Sequence, residues 1–459
     1  MYIPPLIDER LAGGAARAGA VVYGQVKSVN SVSAVVDGLR PFARLGDVVC
    51  LECLGEGEAL AEIVSIEGDD CVVVGYENLD GFGASGRAVL KPGERFIFPH
   101  DGWLGRTINP FAESLDGDRL TFGSKRYALN SKAPLAIHRR FLGERVRTGY
   151  CVFDTILPIC RGQRIGVFAG SGVGKSILLG ELINRIECDV AVVALIGERG
   201  REVRTFVDQT MSEHGRARST VVVATSDQSP LAKKRAATVA MSTAEKFRDD
   251  GKHVLLVFDS LTRFAEAHRE TAVIAGEKSE SGAFPPSTTR EIAALVERAG
   301  PGPEGSGDIT AIFSVLVAGS DFEEPLSDIV RGLLDGHIVL DRKHAERGRF
   351  PAIDVLKSVS RALPNAANKE ENAMIAQTRN IFRTYEDSEL MIRAGLYEDG
   401  SDPLIDRAVR VWPLLDRFVA ESYGEGMRDE QYAFRRLTEI MQKEEDSFHS
   451  DEKESSDQI

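Results

Sequence analysis

The chain has 459 residues, 43% of them hydrophobic and 27% charged, and a formal net charge of −14. That length exceeds what one core organises and predicts two or three domains, while the acidic balance excludes a surface built mainly for nucleic acid. No apolar run reaches the ~20 residues that a membrane-spanning helix needs, and Asp8, Glu9 and Arg10 stand where a signal peptide would carry its apolar core, so membrane association is expected to be peripheral at most.

Residues 1–20 are Ala/Gly-rich after Pro4-Pro5 and predict no firm element. Over 21–98 the pattern becomes short β-rich segments: Val21–Val26, Ser33–Val36, Val48–Leu51, Ala61–Val64 and Asp70–Val74. Turn residues punctuate them (Asp37-Gly38, Gly55-Glu56-Gly57, Glu67-Gly68), which suggests a small β-barrel. Cys50 and Cys53 have metal or redox spacing, but no second pair or His cluster follows, so buried strand thiols in a reducing cytoplasm are expected. Residues 99–364 begin with a connecting segment and then alternate strand and helix signals. Strands are expected at Arg164–Phe168, Val190–Ile196, Thr220–Ala224, Val254–Phe258, Thr310–Leu316 and His337–Leu340. Helices are expected near Lys175–Ile186, Glu202–Glu213, Pro230–Asp249 and Pro286–Ala299. This is the pattern of an α/β, doubly wound parallel sheet, with ligands at the carboxyl ends of its strands. Residues 365–443 read as an all-α domain, and the Glu/Asp/Ser-rich tail 444–459 as disordered.

The chemistry centres on Phe168-Ala169-Gly170-Ser171-Gly172-Val173-Gly174-Lys175-Ser176, between a β-branched run and a helical one. A glycine-rich turn there lets successive N–H groups surround an anion, and the helix N-terminus adds partial positive charge. Lys175 would reach the β- and γ-phosphates and the Ser176 hydroxyl would ligand Mg²⁺. Ala169 replaces the first glycine of the strict pattern; Gly170, Gly172 and Gly174 still supply the turn. Asp259 ends an apolar strand, where a carboxylate can hold Mg²⁺ through water. A second buried strand ends in Glu198-Arg199-Gly200-Arg201-Glu202. Glu198 is the candidate to orient or deprotonate an attacking water, and Arg199 the candidate to balance charge on the transferred phosphoryl group. Position alone leaves a second reading open, a solvated charge cluster at a helix start. Arg263, four residues past Asp259, stands about one helical turn on and could also face the phosphates.

These residues resemble the rotary ATP synthase alpha/beta superfamily. The match includes Gly197-Glu198-Arg199, Asp259-Ser260-Leu261-Thr262-Arg263, Pro285-Pro286-Ser287 and Leu295–Gly300, and is most specific at Pro351–Ser360. The resemblance implies that Glu198 is the catalytic carboxylate and that Arg199 and Arg263 contact the γ-phosphate. It implies that Arg361 is an arginine finger donated to the neighbouring subunit, hence a homohexameric ring. Phe350 stands where the family stacks an aromatic on adenine, and Tyr423 is the expected second wall. ATP and Mg²⁺ are the implied cofactors. Glu198 argues against the noncatalytic rotary subunits, and the pattern Gly395-x-Tyr397…Gly400-Ser401-Asp402-Pro403…Asp406 is similar to the type III export ATPases rather than the ATP synthase catalytic subunit. Asp335–Leu340 and the phosphate loop look closer to the flagellar branch than to the injectisome branch. That branch implies a cytoplasmic ring working at an export gate with chaperones, their cargo and a stator-like regulatory partner. The short N-terminal segment departs from the family by lacking a clear amphipathic docking helix. A nucleotide-dependent scaffold with incidental hydrolysis is the competing non-enzyme reading.

Overall fold

The computed structural model describes residues 21–53, 57–84, 86–278, 284–317, 324–423 and 431–442. The expectations for the N-terminal segment and the acidic tail lie outside the described residues.

Six strands close a barrel in the order β1-β2-β5-β4-β3-β6: β1 (Tyr23–Val29), β2 (Ser33–Asp37), β3 (Val48–Cys53), β4 (Gly57–Glu67), β5 (Asp70–Gly75) and β6 (Arg87–Lys91). Inward residues such as Val36, Val49, Leu51, Ile63 and Val73 fill it, because alternate side chains along each strand share a face. The sequence pattern did not mark β6. It pairs with both β1 and β3 and so supplies the closure that leaves no free edge. Cys50 is buried in β3, and burial pushes its thiol up to about 11. The barrel meets the next domain through Val48, Val74 and Tyr76 against Leu231 and Ala232, and Ser229 Oγ donates to the Tyr76 carbonyl at 2.8 Å.

Two strands, β7 (Phe96–Ile97) and β9 (Tyr127–Ala128), pair in the connecting segment. The central sheet runs β17-β16-β10-β15-β13-β11-β12-β8, from β8 (Thr107–Ile108), β10 (Arg164–Ala169), β11 (Val190–Glu198), β12 (Ser219–Thr225), β13 (His253–Asp259), β15 (Asp308–Leu316), β16 (Gly336–Leu340) and β17 (Ile353–Ser360). β8, β10–β13, β15 and β16 are parallel and nearly continuously apolar, as strands covered on both faces must be. The sheet is mixed, however: β17 runs antiparallel to β16, and β14 (Gly300–Pro301) runs antiparallel to β15. Most of the signature Pro351–Ser360 thus lies in an edge strand, Ile353–Ser360, which reverses direction and carries its last residue to the amino-terminal edge of the sheet.

Helices Pro230–Asp249, Leu261–Ile274 and Pro286–Val296 cover one face, and helix Lys175–Arg185 with the C-terminal helices covers the other. The helix expected at Glu202–Glu213 is broken instead. An α-turn at Gly200–Thr205 widens into a π-turn at Phe206–Thr210, and Ser212 caps a separate helix, Glu213–Ala217, by accepting from the Gly215 N–H. Asn184 Oδ1 accepts from the Ser212 N–H at 2.8 Å, so a tertiary contact replaces helical bonding there. C-terminally, helix Lys369–Arg393 opens on an Asn368/Glu371 capping box. Helix Pro403–Ala420 and a helical stretch over 432–442 follow. Between the first two, Tyr397 Oη donates to Asp406 at 2.6 Å and the Gly400 N–H donates to the same carboxylate, which explains the spacing Tyr397…Gly400…Asp406. Among the described residues no helix is long and apolar enough to cross a membrane.

His253 and His268 are 6% and 7% exposed, and burial pushes both imidazoles down to about 4. The unfolded chain, with the ordinary value near 6.5, binds more protons between those limits. Their contribution is therefore complete above pH 6.5 and lost as pH falls towards 4. The part that His253 supplies is read by difference: between pH 7.5 and pH 5 the urea midpoint of the wild type is expected to lose ground relative to that of His253→Asn, and the two histidines together account for on the order of a few kcal/mol.

Candidate functional site

The loop between β10 and helix Lys175–Arg185 turns through Gly172 (φ 78°) and Gly174 (φ 88°), left-handed conformations that favour glycine. Gly174 caps the helix, and its carbonyl accepts from the Leu178 N–H at 3.0 Å. The loop lines a cleft of about 1470 Å³ with Gly170, Ser171, Gly172, Gly174, Lys175 and Ser176. Val173 differs: its side chain is buried in the core and anchors the loop by packing.

Glu198, Arg199, Arg263 and Phe350 line the same cleft. Glu198 comes from the end of β11 and Asp259 from the end of β13, adjacent strands whose register brings both to the sheet's carboxyl edge. Both carboxylates converge on Lys175: Asp259 pairs with it directly, and Glu198 Oε1 lies 3.7 Å from Nζ. Asp259 is 2% exposed and also accepts from the Ser314 hydroxyl. Burial first, and the Asp259 charge next, push the Glu198 carboxyl up to about 7, against the pull of Lys175. A carboxylate so poised suits proton transfer near neutral pH.

Ser176, Glu198 and Asp259 also line an adjoining cavity of about 460 Å³. A hydroxyl and two carboxylates in one lining are the hard oxygen donors that Mg²⁺ prefers, so the residues present fit that ion. Arg199 is held by Glu202 at 2.9 Å and Arg263 by Glu266 at 2.8 Å, each within one helical turn. Such partly exposed pairs are worth little. Gly197 (φ 74°) lets Arg263 pass, since a Cβ there would lie 2.8 Å from Arg263 Cγ. Gly197→Ala is expected to displace Arg263 and destabilise the protein by on the order of 1–3 kcal/mol, read by thermal melting together with ATP turnover.

Phe350 is half-exposed and packs towards Gly174, where an added Cβ would meet its ring at 3.2 Å. Its neighbour Arg349 is buried and bonded to Asp416 at 2.7 Å, which ties this aromatic to a C-terminal helix. Tyr423 does not join it. Its hydroxyl donates to Asp154, its N–H donates to the Gly149 carbonyl at 2.9 Å, and its own carbonyl accepts from Arg185. Arg185 ends the phosphate-loop helix, about 15 Å along its axis from Lys175, so the second aromatic wall is corrected to a buried structural tyrosine. Arg361 is also absent from the cleft. It is exposed, follows β17 at the amino-terminal edge, and donates to the Arg331 carbonyl at 3.2 Å.

Sequence reasoning assigned no role to Ser314, Lys233, Glu266 or Glu270. Ser314 had a signal: a hydroxyl within the apolar run Ala311–Leu316 needs a partner when buried. The other three become neighbours of the cleft only through helix packing.

Residues 149–360 match the ATP synthase alpha/beta family nucleotide-binding domain, and residues 367–443 match the T3SS EscN ATPase C-terminal domain. The chain is 41% identical to the flagellum-specific ATP synthase of Caulobacter vibrioides, over 92% of this chain and 96% of that one. It is also 41% identical to the SPI-2 type 3 secretion system ATPase of Salmonella typhimurium, over 88% and 91%. The structure of the assembled ATPase EscN from the enteropathogenic E. coli type III secretion system superposes with a TM-score of 0.84 at 34% identity, covering 91% of this chain and 99% of that one. EscN is also known in complex with its central stalk EscO, with a TM-score of 0.81.

Proposed function

The chain belongs to the ATP synthase alpha/beta family, and from that premise we propose that it is the ATP hydrolase of a type III flagellar export apparatus, working as a homohexameric ring. The observation that carries this reading is the convergence of Glu198 and Asp259 on Lys175 inside the phosphate-loop cleft. Noncatalytic nucleotide sites have no need of a carboxylate poised near neutral pH. Lys175 and the loop N–H groups bind the phosphates, Ser176 and Asp259 hold Mg²⁺, and Phe350 offers its face to adenine. Mg²⁺ would supply charge neutralisation on the phosphate oxygens. Glu198 orients the attacking water and takes its proton, while Arg199 and Arg263 leave their glutamates for the transferring group. Support for a finger in trans comes from the separation of Arg361 from its own cleft. The ring then acts on the cytoplasmic side of the membrane, as a peripheral partner of export-gate proteins, chaperones with cargo, and a stator-like regulator. The injectisome branch is the second reading, favoured by the equal identity to the SPI-2 relative.

The experiment is steady-state ATP hydrolysis across a protomer-concentration series, with the mass of the species measured alongside. Turnover per protomer is expected to rise with ring formation. Bound nucleotide without turnover at any concentration would leave the scaffold reading in its place.

A further inference from the structure

Residues 135–142 have inverted polarity. Arg139 and Arg140 point inward: Arg139 donates to the Ala299 carbonyl at 2.9 Å, and Arg140 to the Ser306 carbonyl at 2.8 Å and to the Asp308 carboxylate. Leu135, Ile137 and Phe141 point outward and are 66%, 88% and 98% exposed. A solvated connector would arrange these residues the other way round. Single exposed apolar residues are ordinary, but three on one short stretch are not. The two arginines and the turn at Ala136–His138 hold the ridge in shape, so little ordering remains to be done on docking.

The ridge stands on the amino-terminal edge of the sheet, beside the starts of β10 and β15, since the Gly143 N–H bonds the Arg161 carbonyl and Arg140 reaches Asp308. Arg361 stands on that same edge. It is reached from the ridge through Arg139 to Glu297, Glu297 to Arg164 (2.7 Å), Arg164 to Asp335 (3.0 Å), and the Asp335 carbonyl to the Arg361 N–H (3.0 Å). The phosphate-loop cleft lies on the opposite, carboxyl edge. Its rim offers exposed Ile177, with Glu270 and Glu324, which have no ion-pair partner among the described residues. Arg361 in turn has no carboxylate partner among them. The two edges complement each other in charge and in apolar surface, and a head-to-tail contact between unlike edges is what closes a ring.

We infer that the Leu135–Ile137–Phe141 ridge is the apolar anchor of the ring interface, docking on the cleft rim of a second copy of this chain beside the entering Arg361. This rests on the ring reading above and adds the surface that holds it. The test uses the full chain with Mg²⁺ and a non-hydrolysable ATP analogue. Ile137→Ser/Phe141→Ser is expected to raise the protomer concentration at half-assembly by roughly tenfold or more, with melting and monomer nucleotide affinity unchanged. A photocrosslinking residue at position 141 should map onto the carboxyl edge of another copy, near Ile177 or Glu324. Assembly of the double variant at the wild-type midpoint would overturn the anchor and leave the ring intact. Crosslinks joining amino edge to amino edge, or a wild type that hydrolyses ATP as a monomer, would overturn both.

Discussion

Arg361→Ala is expected to lower turnover of the assembled protein about a thousandfold or more, the loss that follows removal of an arginine finger. The side chain is exposed and gives up one bond to the Arg331 carbonyl, so folding should change by no more than about 0.5 kcal/mol. Nucleotide binding at each protomer's own cleft should persist, because Arg361 does not line it. The decisive measurement is complementation. Arg361→Ala protomers keep an intact Glu198, and Glu198→Gln protomers keep an intact finger. Mixed in one ring, they form some complete sites, and activity should exceed that of either variant alone. Mixtures no more active than the separate variants would mean that the finger does not act across subunits.

Glu198→Gln is expected to reduce kcat by roughly a hundredfold to ten-thousandfold, the range for loss of a general base, while nucleotide still binds. Its stability should move the other way. The folded protein holds the Glu198 carboxyl near 7, above the ordinary 4.5, so folding favours the protonated form. That contribution falls as pH rises from 4.5 through 7, and at pH 8 the ionised side chain opposes folding. A neutral amide removes the opposition, and melting at pH 8 should shift upwards by on the order of 1 kcal/mol or more. An inactive variant more stable than its parent is the mark of a carboxylate held in place for chemistry. A carboxylate with only a structural role would lose stability instead.

Much of the architecture was legible because its signals are local. Strand β13 is a run of apolar residues ending in Asp259, and helix Pro230–Asp249 begins at a proline after a serine cap and ends where the sequence pattern ended it. Failures came where pairing across the chain overrides local pattern. β6 is five residues whose role is to join β1 to β3, and the helix expected at Glu202–Glu213 breaks because Asn184, from another element, takes the Ser212 N–H. The expectation for Tyr423 failed for the same reason: its hydroxyl, N–H and carbonyl are taken by Asp154, Gly149 and Arg185, partners far from it in the chain.

The phosphate loop, its lysine and serine, and the acids ending two apolar strands are written in the sequence, because glycine spacing and strand ends act over a few residues. Three things required the fold. Glu198 and Asp259 reach the same ammonium only because β11 and β13 are neighbours in register, and burial there raises the Glu198 carboxyl. Phe350 meets Gly174 only because Arg349 is tied to a helix more than sixty residues further on. Arg361 stands on the edge opposite its own cleft only because β17 runs antiparallel to β16, and strand direction is settled by which partner a strand finds, not by its own residues.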